Sequence, residues 1–139
     1  MGVFDVKVKL RNWQQGLLFP GAEPDPWIAC QAVVDSGAVT LALPTEVVEQ
    51  LRLVPMGEVR ARTADGTPRD CRLMGIVEIE VQGRSWRGQA VELPLGTQPL
   101  LGAVPLEEMD WHISPKDKKL LPNPDSPDKP QVWLLALPS

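Results

Sequence analysis

The sequence of 139 residues is poor in several things that would announce a function. No apolar run approaches the roughly 18 to 20 residues of a membrane span, so no membrane partner is expected. Asp5 and Lys7 interrupt the N-terminal stretch where a signal peptide needs an apolar segment. The chain therefore reads as cytoplasmic. It carries one histidine, His112, and two cysteines, Cys30 and Cys71. Three such side chains, widely spread, fall short of a four-ligand zinc site, so no metal is expected. A Ser-His-Asp triad would need His112, and no Gly-x-Ser-x-Gly elbow is present. There is neither a phosphate loop nor a Gly-x-Gly-x-x-Gly segment, and no cofactor is expected. A net charge of −4 gives no overall attraction for nucleic acid. Two reduced, half-buried thiols fit a cytoplasmic protein, with a Cys30–Cys71 disulfide left as the alternative.

What is plentiful is punctuation and carboxylate. Fifteen prolines and eleven glycines break the chain too often for a helical bundle, and Asp plus Glu number 18. Phe4, Val6, Val8 and Leu10 alternate with Asp5, Lys7 and Lys9, the period of a half-buried strand. Val77, Ile79 and Val81 alternate in the same way with Glu78, Glu80 and Gln82. A Gly83-Arg84 turn then leads into a strand near 86–93. Val59, Ala61 and Thr63 alternate with Arg60 and Arg62 ahead of Asp65-Gly66, a strong hairpin-turn pair. Helix is expected over 44–53, where Leu43, Val47 and Leu51 share one face and Pro55 ends the run, and again over 105–109. The chain is thus expected to be mainly all-β, a small barrel or sandwich with one or two short helices.

Residues 122–130 form a proline-rich linker, expected to be extended and poorly able to join a sheet. Residues 131–139 follow as an apolar docking strand, because Val132 to Leu137 should not be left in water. Residues 1–121 then make up the main domain. The five tryptophans, Trp13, Trp27, Trp86, Trp111 and Trp133, are expected in the core or an interface, and His112 in a structural position. Arg60, Arg62, Arg69 and Arg72 are expected to form a solvated basic edge that resists sheet pairing.

The most informative run is Ala32-Val33-Val34-Asp35-Ser36-Gly37-Ala38. An apolar strand delivers a carboxylate to its end, and a hydroxyl and a glycine follow. Such a turn can surround the carboxylate with backbone N–H donors in a partly dry place, where an Asp is costly unless it is paired or functional. By itself Asp-Ser-Gly is also an ordinary turn. A second element adds weight. Pro99-Leu100-Leu101-Gly102-Ala103 is another apolar strand ending in glycine, with a helix expected after it.

This pair, in this order, resembles the retropepsin-like aspartic proteases, most closely the bacterial single-domain type, in which Leu-Leu-Gly is followed by Leu-Glu and then an Asp, here Leu106-Glu107 and Asp110. The resemblance spans about 31–121. It implies half of an acid-protease barrel that works as a homodimer. Asp35 is then the catalytic residue. Ser36, Gly37 and Ala38 support its loop, Asp65 and Gly66 form a flap over the substrate, and Leu101 and Gly102 lie behind the loop. Ala103 departs from the arginine of viral members, and the flap tip has one glycine rather than several.

The implied chemistry uses two carboxylates that share one proton, one activating a water and the other donating to the peptide carbonyl. One Asp-Ser-Gly per chain means that Asp35 must meet its copy across a two-fold axis. The expected partners are therefore a second copy and a polypeptide substrate. The alternative is a catalytically silent homodimeric β module that binds peptides or a protein through the same groove.

Overall fold

The computed structural model describes residues 4–62 and 65–132. Alternation dictates the first strand. In β1 (Phe4–Asn12), Phe4, Val8, Leu10 and Asn12 are buried while Asp5, Lys7 and Lys9 face water. Its antiparallel partner is β2 (Ile28–Val34), with Phe4 opposite Val34 and Leu10 opposite Ile28. Then come β3 (Ala42–Pro44), α2 (Thr45–Gln50) and the ribbon of β4 (Val54–Arg62) and β5 (Pro68–Val81). They are followed by β6 (Arg84–Leu93), β7 (Leu100–Leu101), α3 (Ala103–Glu108), β8 (Trp111–Ser114) and β9 (Lys119–Pro122). A short helix, α1 (Gln14–Leu18), sits between β1 and β2.

The strand order β1-β2-β7-β3-β6-β5 returns to β1 through a second pairing, Lys9 to Asn12 against Glu80 to Val77. Six strands thus close a barrel in which each has a neighbour on both sides. Val8, Leu10, Val34, Leu41, Leu43, Val77, Ile79, Val81 and Leu101 fill it. β4 pairs with β5 alone, so the hairpin stands off the barrel wall. This is the mainly β barrel with few short helices that the sequence calls for, with three helices among the described residues. Trp133 and the residues after it, expected as a docking strand, lie outside the described residues, as does Thr63.

The helix expected over 44–53 is shorter than its periodicity predicts, and the one expected over 105–109 starts earlier, at Ala103. Pro44 is not the first helical residue but the last of β3, extended at ψ 157° and opposite Leu93. At the other end Arg52 takes φ 55°. The Arg52 and Leu53 amides donate to the carbonyls of Glu49 and Val48, a Schellman closure that stops α2 before Leu53. The proline-rich segment also differs from an extended tether. Leu121 and Pro122 pair with His112 and Trp111 in the β8–β9 hairpin, and Ser126 is buried. Cys30 is half-buried, Cys71 is buried, and both are free thiols.

Alternation misplaces Val59, which is exposed on β4, and Glu78. Glu78 reads as solvent-facing, yet it is 2% exposed. Register explains why. Glu78 lies opposite Arg11 on β1 and opposite Arg87 on β6, so both neighbouring strands aim a guanidinium at it. Arg11 Nε donates to Oε1, and Arg87 Nε donates to Oε2 at 2.8 Å. Trp27 stacks 4.0 Å from Arg11 and Trp13 3.8 Å from Arg87, so the segment between β1 and β2 seals this outer face. A buried carboxylate with two cations is strongly damaged by losing one member of the set. Glu78→Ala should lower the unfolding free energy by on the order of 3 kcal/mol in urea titration. Arg87→Ala, at the more exposed end of the set, should cost less, about 1 to 2 kcal/mol, because Arg11 still pairs the buried carboxylate.

Candidate active site

The segment around Asp35 is held mainly by backbone. β7 runs parallel to β2, with Val33 opposite Leu100 and Val34 opposite Leu101. The Val33 amide donates to Pro99 at 2.8 Å and the Asp35 amide to Leu101 at 3.1 Å, so the ladder carries Asp35 one step past the strand. The chain then loops through 36–41 and returns as β3, antiparallel to the other side of β7. β7 is therefore clasped between the strands that enter and leave the Asp35 loop.

Gly102 is where that loop crosses. A Cβ at this position would lie 2.4 Å from the Thr40 carbonyl oxygen and 2.7 Å from that of Ala38, so backbone fills the space of a side chain. The first two amides of α3 then meet the loop. Ala103 N–H donates to Ala38 at 2.8 Å and Val104 N–H to Val39 at 2.8 Å. These are helix N-terminal donors that have no partner inside their own helix. The loop supplies the acceptors, and its carbonyls are fixed in return.

Within the loop, Asp35 is half-buried while Ser36 and Gly37 are exposed. Asp35 Oδ1 accepts the Gly37 amide at 2.9 Å, and the Ala38 amide donates to the Asp35 carbonyl at 3.1 Å. Oδ2 accepts no hydrogen bond among the described residues. The carboxylate is thus fixed by one oxygen and open at the other. Asp35, Ser36, Gly37 and Ala38 share one loop, with Leu101 and Gly102 directly behind it. Asp65 and Gly66 stand apart, at the tip of the β4–β5 hairpin.

The comparisons with known proteins fall on this region. The family model described as aspartyl protease matches residues 28–103, more than half of the chain and all of the β2–β7 clasp. The chain belongs to the aspartyl protease family. Family and barrel together support a protease-type function. Among solved structures, the chain is similar to a retropepsin-like aspartic protease from Rickettsia conorii at 16% identity and a TM-score of 0.43, over 81% of this chain and 86% of that one. No curated protein matches.

In this member of the aspartyl protease family the hairpin that holds Asp65 and Gly66 has a defined tip. Gly66 takes φ +81°, a backbone state natural to glycine, with none of the described residues within 4 Å of where a side chain would stand. Arg62 Nη1 donates to the Gly66 carbonyl at 3.1 Å, and Asp65 Oδ1 accepts the Thr67 amide at 2.9 Å. The expected basic edge is partly neutralised. Arg60 pairs with Asp70 across the hairpin at 3.1 Å, and Arg72 pairs with Glu92 through Nε at 2.8 Å and Nη2 at 2.9 Å. This two-pronged contact ties the hairpin's second strand to β6. The Arg72 hydrogen bonds hold the Glu92 carboxyl below the usual carboxylate range, against the opposing effect of burial.

Several groups at the site carry no sequence signal. The Ala103 and Val104 amides act through the main chain. Glu46 accepts the Gly96 amide at 2.9 Å and so pins the turn that leads into β7, a contact across 50 residues that no local pattern announces.

Two outcomes follow. Gly102→Ala should drive the Cβ into the Thr40 and Ala38 carbonyls and cost on the order of 3 kcal/mol, read as a fall in thermal unfolding midpoint. The folded-state pKa of Glu92 is depressed, so its stabilisation is full above its unfolded pKa of 4.5 and disappears as pH falls through the lower folded value. Thermal melts of Arg72→Gln should therefore lie below wild type at pH 7 and converge with it in acid.

Proposed function

We propose that the chain is an aspartic endopeptidase active as a homodimer, in which Asp35 of each protomer supplies one carboxylate of the catalytic pair. The observation that carries this reading is the state of Asp35: delivered to the end of a buried strand, fixed through Oδ1 by the Gly37 amide, with Oδ2 unclaimed among the described residues. Family membership over 28–103 supports the class of chemistry. The dimer follows from stoichiometry. The chain has one Asp-Ser-Gly, and peptide hydrolysis of this class needs two carboxylates that hold one proton between them.

In the proposed reaction, the ionised carboxylate takes a proton from water as the oxygen attacks the scissile carbonyl carbon. The protonated partner donates to the carbonyl oxygen, giving a tetrahedral diol. The diol collapses by breaking the C–N bond, with a proton passed to the departing amine, and the pair returns to its one-proton state. Ser36 supports the loop across the axis, and the Gly37 amide keeps the carboxylate in plane. The Asp65–Gly66 tip closes over the bound peptide and excludes water. The substrate is a polypeptide, and the reaction needs no cofactor.

Asp35→Asn keeps the size and the Gly37 contact but removes the titrating group. It should abolish peptide cleavage, by at least about a thousandfold, while the circular-dichroism spectrum and melting midpoint stay near wild type. Residual cleavage at the wild-type rate would sink the assignment of Asp35. Specific activity should also fall on dilution in step with loss of dimer by sedimentation. A monomer of full specific activity would remove the dimer from the mechanism while leaving Asp35 in place.

A further inference from the structure

After β9 the chain is fastened rather than loose. Ser126 is buried, and its Oγ donates to Asp110 Oδ2 at 2.6 Å. Its carbonyl accepts Arg84 Nη2 at 3.0 Å, and Arg84 Nη1 donates to the Met109 and Asp110 carbonyls at 2.8 and 2.9 Å. Five residues on, the Gln131 amide donates to the same Asp110 oxygen at 3.1 Å. Asp110 sits just past α3 at φ 59°, so one carboxylate locks both ends of 126–131 to the base of that helix. The Ser126 hydroxyl, chief among its neighbours, holds the Asp110 carboxyl below its ordinary range. The lock is in its charged form at neutral pH.

Beside the lock lies a groove of about 370 Å³, lined by Glu107, Glu108, Trp111 and His112 and, on its last side, by Gln131 and Val132. We propose that this groove is the docking site of residues 133–139 of the same chain, Trp-Leu-Leu-Ala-Leu-Pro-Ser, which brace α3 from behind.

Four observations support that occupant. Gln131 and Val132 line the groove and the Gln131 amide is held by Asp110, so the segment that follows is tethered at the groove. Tethering at zero linker length gives this segment a far higher local concentration than any free peptide. The segment carries no charged side chain, so the carboxylates of Glu107, Glu108 and Asp110 do not repel it, as they would an acidic partner. Its Trp and Leu side chains, and Val132 at 66% exposure, need a cover. Trp111 lines the groove and its buried indole N–H has no acceptor among the described residues, a need that a peptide carbonyl would meet. Seven extended residues reach about 23 Å, and the six residues of α3 span about 9 Å, so the segment can line the helix without leaving its protomer.

The consequence is positional. The first turn of α3 holds the Asp35 loop through the Ala103 and Val104 amides. A brace on its last turn therefore reaches the catalytic loop through one short rigid element. Only this last consequence rests on the protease reading. The docking can be tested without it, in Asp35→Asn protein.

The experiment is hydrogen exchange on the full chain and on a chain truncated after Val132, with a synthetic peptide of residues 131–139 added back. Truncation should speed exchange across 103–114 by tenfold or more. The peptide should restore protection, and Trp111→Phe should weaken its binding. If truncation leaves the protein unfolded, Leu134→Glu with Leu135→Glu in the full chain should give the same local rise. Unchanged exchange at 103–114, or no restoration by the peptide, overturns the proposal. So does protection of the full chain that fades on dilution together with the dimer, because the occupant is then a second copy's tail.

Discussion

The constraint on which the rest depends is that a two-residue strand must be held from both sides. β7 is only Leu100 and Leu101, too short to contribute much area of its own. It is stable because β2 lies against one edge and β3 against the other. Those strands are the approach and return of the loop that carries Asp35. Closing the barrel and forming the loop are therefore one event. If β7 slipped by a residue, Val33 and Val34 would lose their register, Gly102 would no longer lie beneath the Thr40 and Ala38 carbonyls, and the donors of α3 would miss their acceptors. The carboxylate is placed by main-chain contacts that side-chain substitution elsewhere alters little. At Gly102 the clasp depends on having no side chain at all.

The barrel's outside carries a second organising contact. Glu78 with Arg11 and Arg87 joins three neighbouring strands, β1, β5 and β6, on the face away from the core. Trp27 stacks on the Arg11 guanidinium and Trp13 on that of Arg87. The Asn12 amide group donates to the Leu51 and Arg52 carbonyls, which couples the same region to the end of α2. That reinforcement falls on the half of β5 built into the barrel. The other half, from Pro68 to Arg72, leaves the barrel with β4 and is mostly solvent-exposed. One strand thus supplies both a rigid wall and a projecting arm. The Arg72–Glu92 contact marks the boundary between them. Local stability varies along a chain in the same way as buried contact, so motion belongs to the arm.

Legibility in the sequence follows the range of the interactions. The alternation of Phe4, Val8 and Leu10, the Asp65-Gly66 turn and the apolar lead-in to Asp35 are local, and each marks its element. The order of Asp-Ser-Gly and Leu-Leu-Gly pointed to the family that the match over 28–103 shows. What did not show was whatever depends on a partner far along the chain. Glu78 reads as a surface residue because nothing nearby reveals that Arg11 and Arg87 will flank it, 67 and 9 residues away. The proline-rich segment reads as a free tether because proline disfavours a ladder, but Pro122 ends β9 opposite Trp111 and Ser126 fastens the chain through Asp110, 16 residues distant. α1 was missed for another reason. Five residues around Gly16, with Leu17 and Leu18 left exposed, have no amphipathic period to detect.

The half-satisfied state of Asp35 deserves a physical reason. A carboxylate in a purely structural turn gains most by filling both oxygens, as Asp110 does more fully at the end of α3, where Oδ2 alone takes the Ser126 hydroxyl and the Gln131 amide. The Asp35 loop is rich in donors, yet it spends them elsewhere: the Ala38 amide goes to the Asp35 carbonyl, and the Ala103 and Val104 amides go to the Ala38 and Val39 carbonyls. Only Gly37 turns to the side chain. The loop thus orients the carboxylate through Oδ1 without neutralising Oδ2, and the small residues Ser36 and Gly37 leave that oxygen room. Two aspartates in one protein, both just past a strand or helix end, differ in whether backbone and hydroxyl donors close around them. That difference separates a carboxylate built to hold the fold from one left able to take up a proton, a water or a second carboxylate.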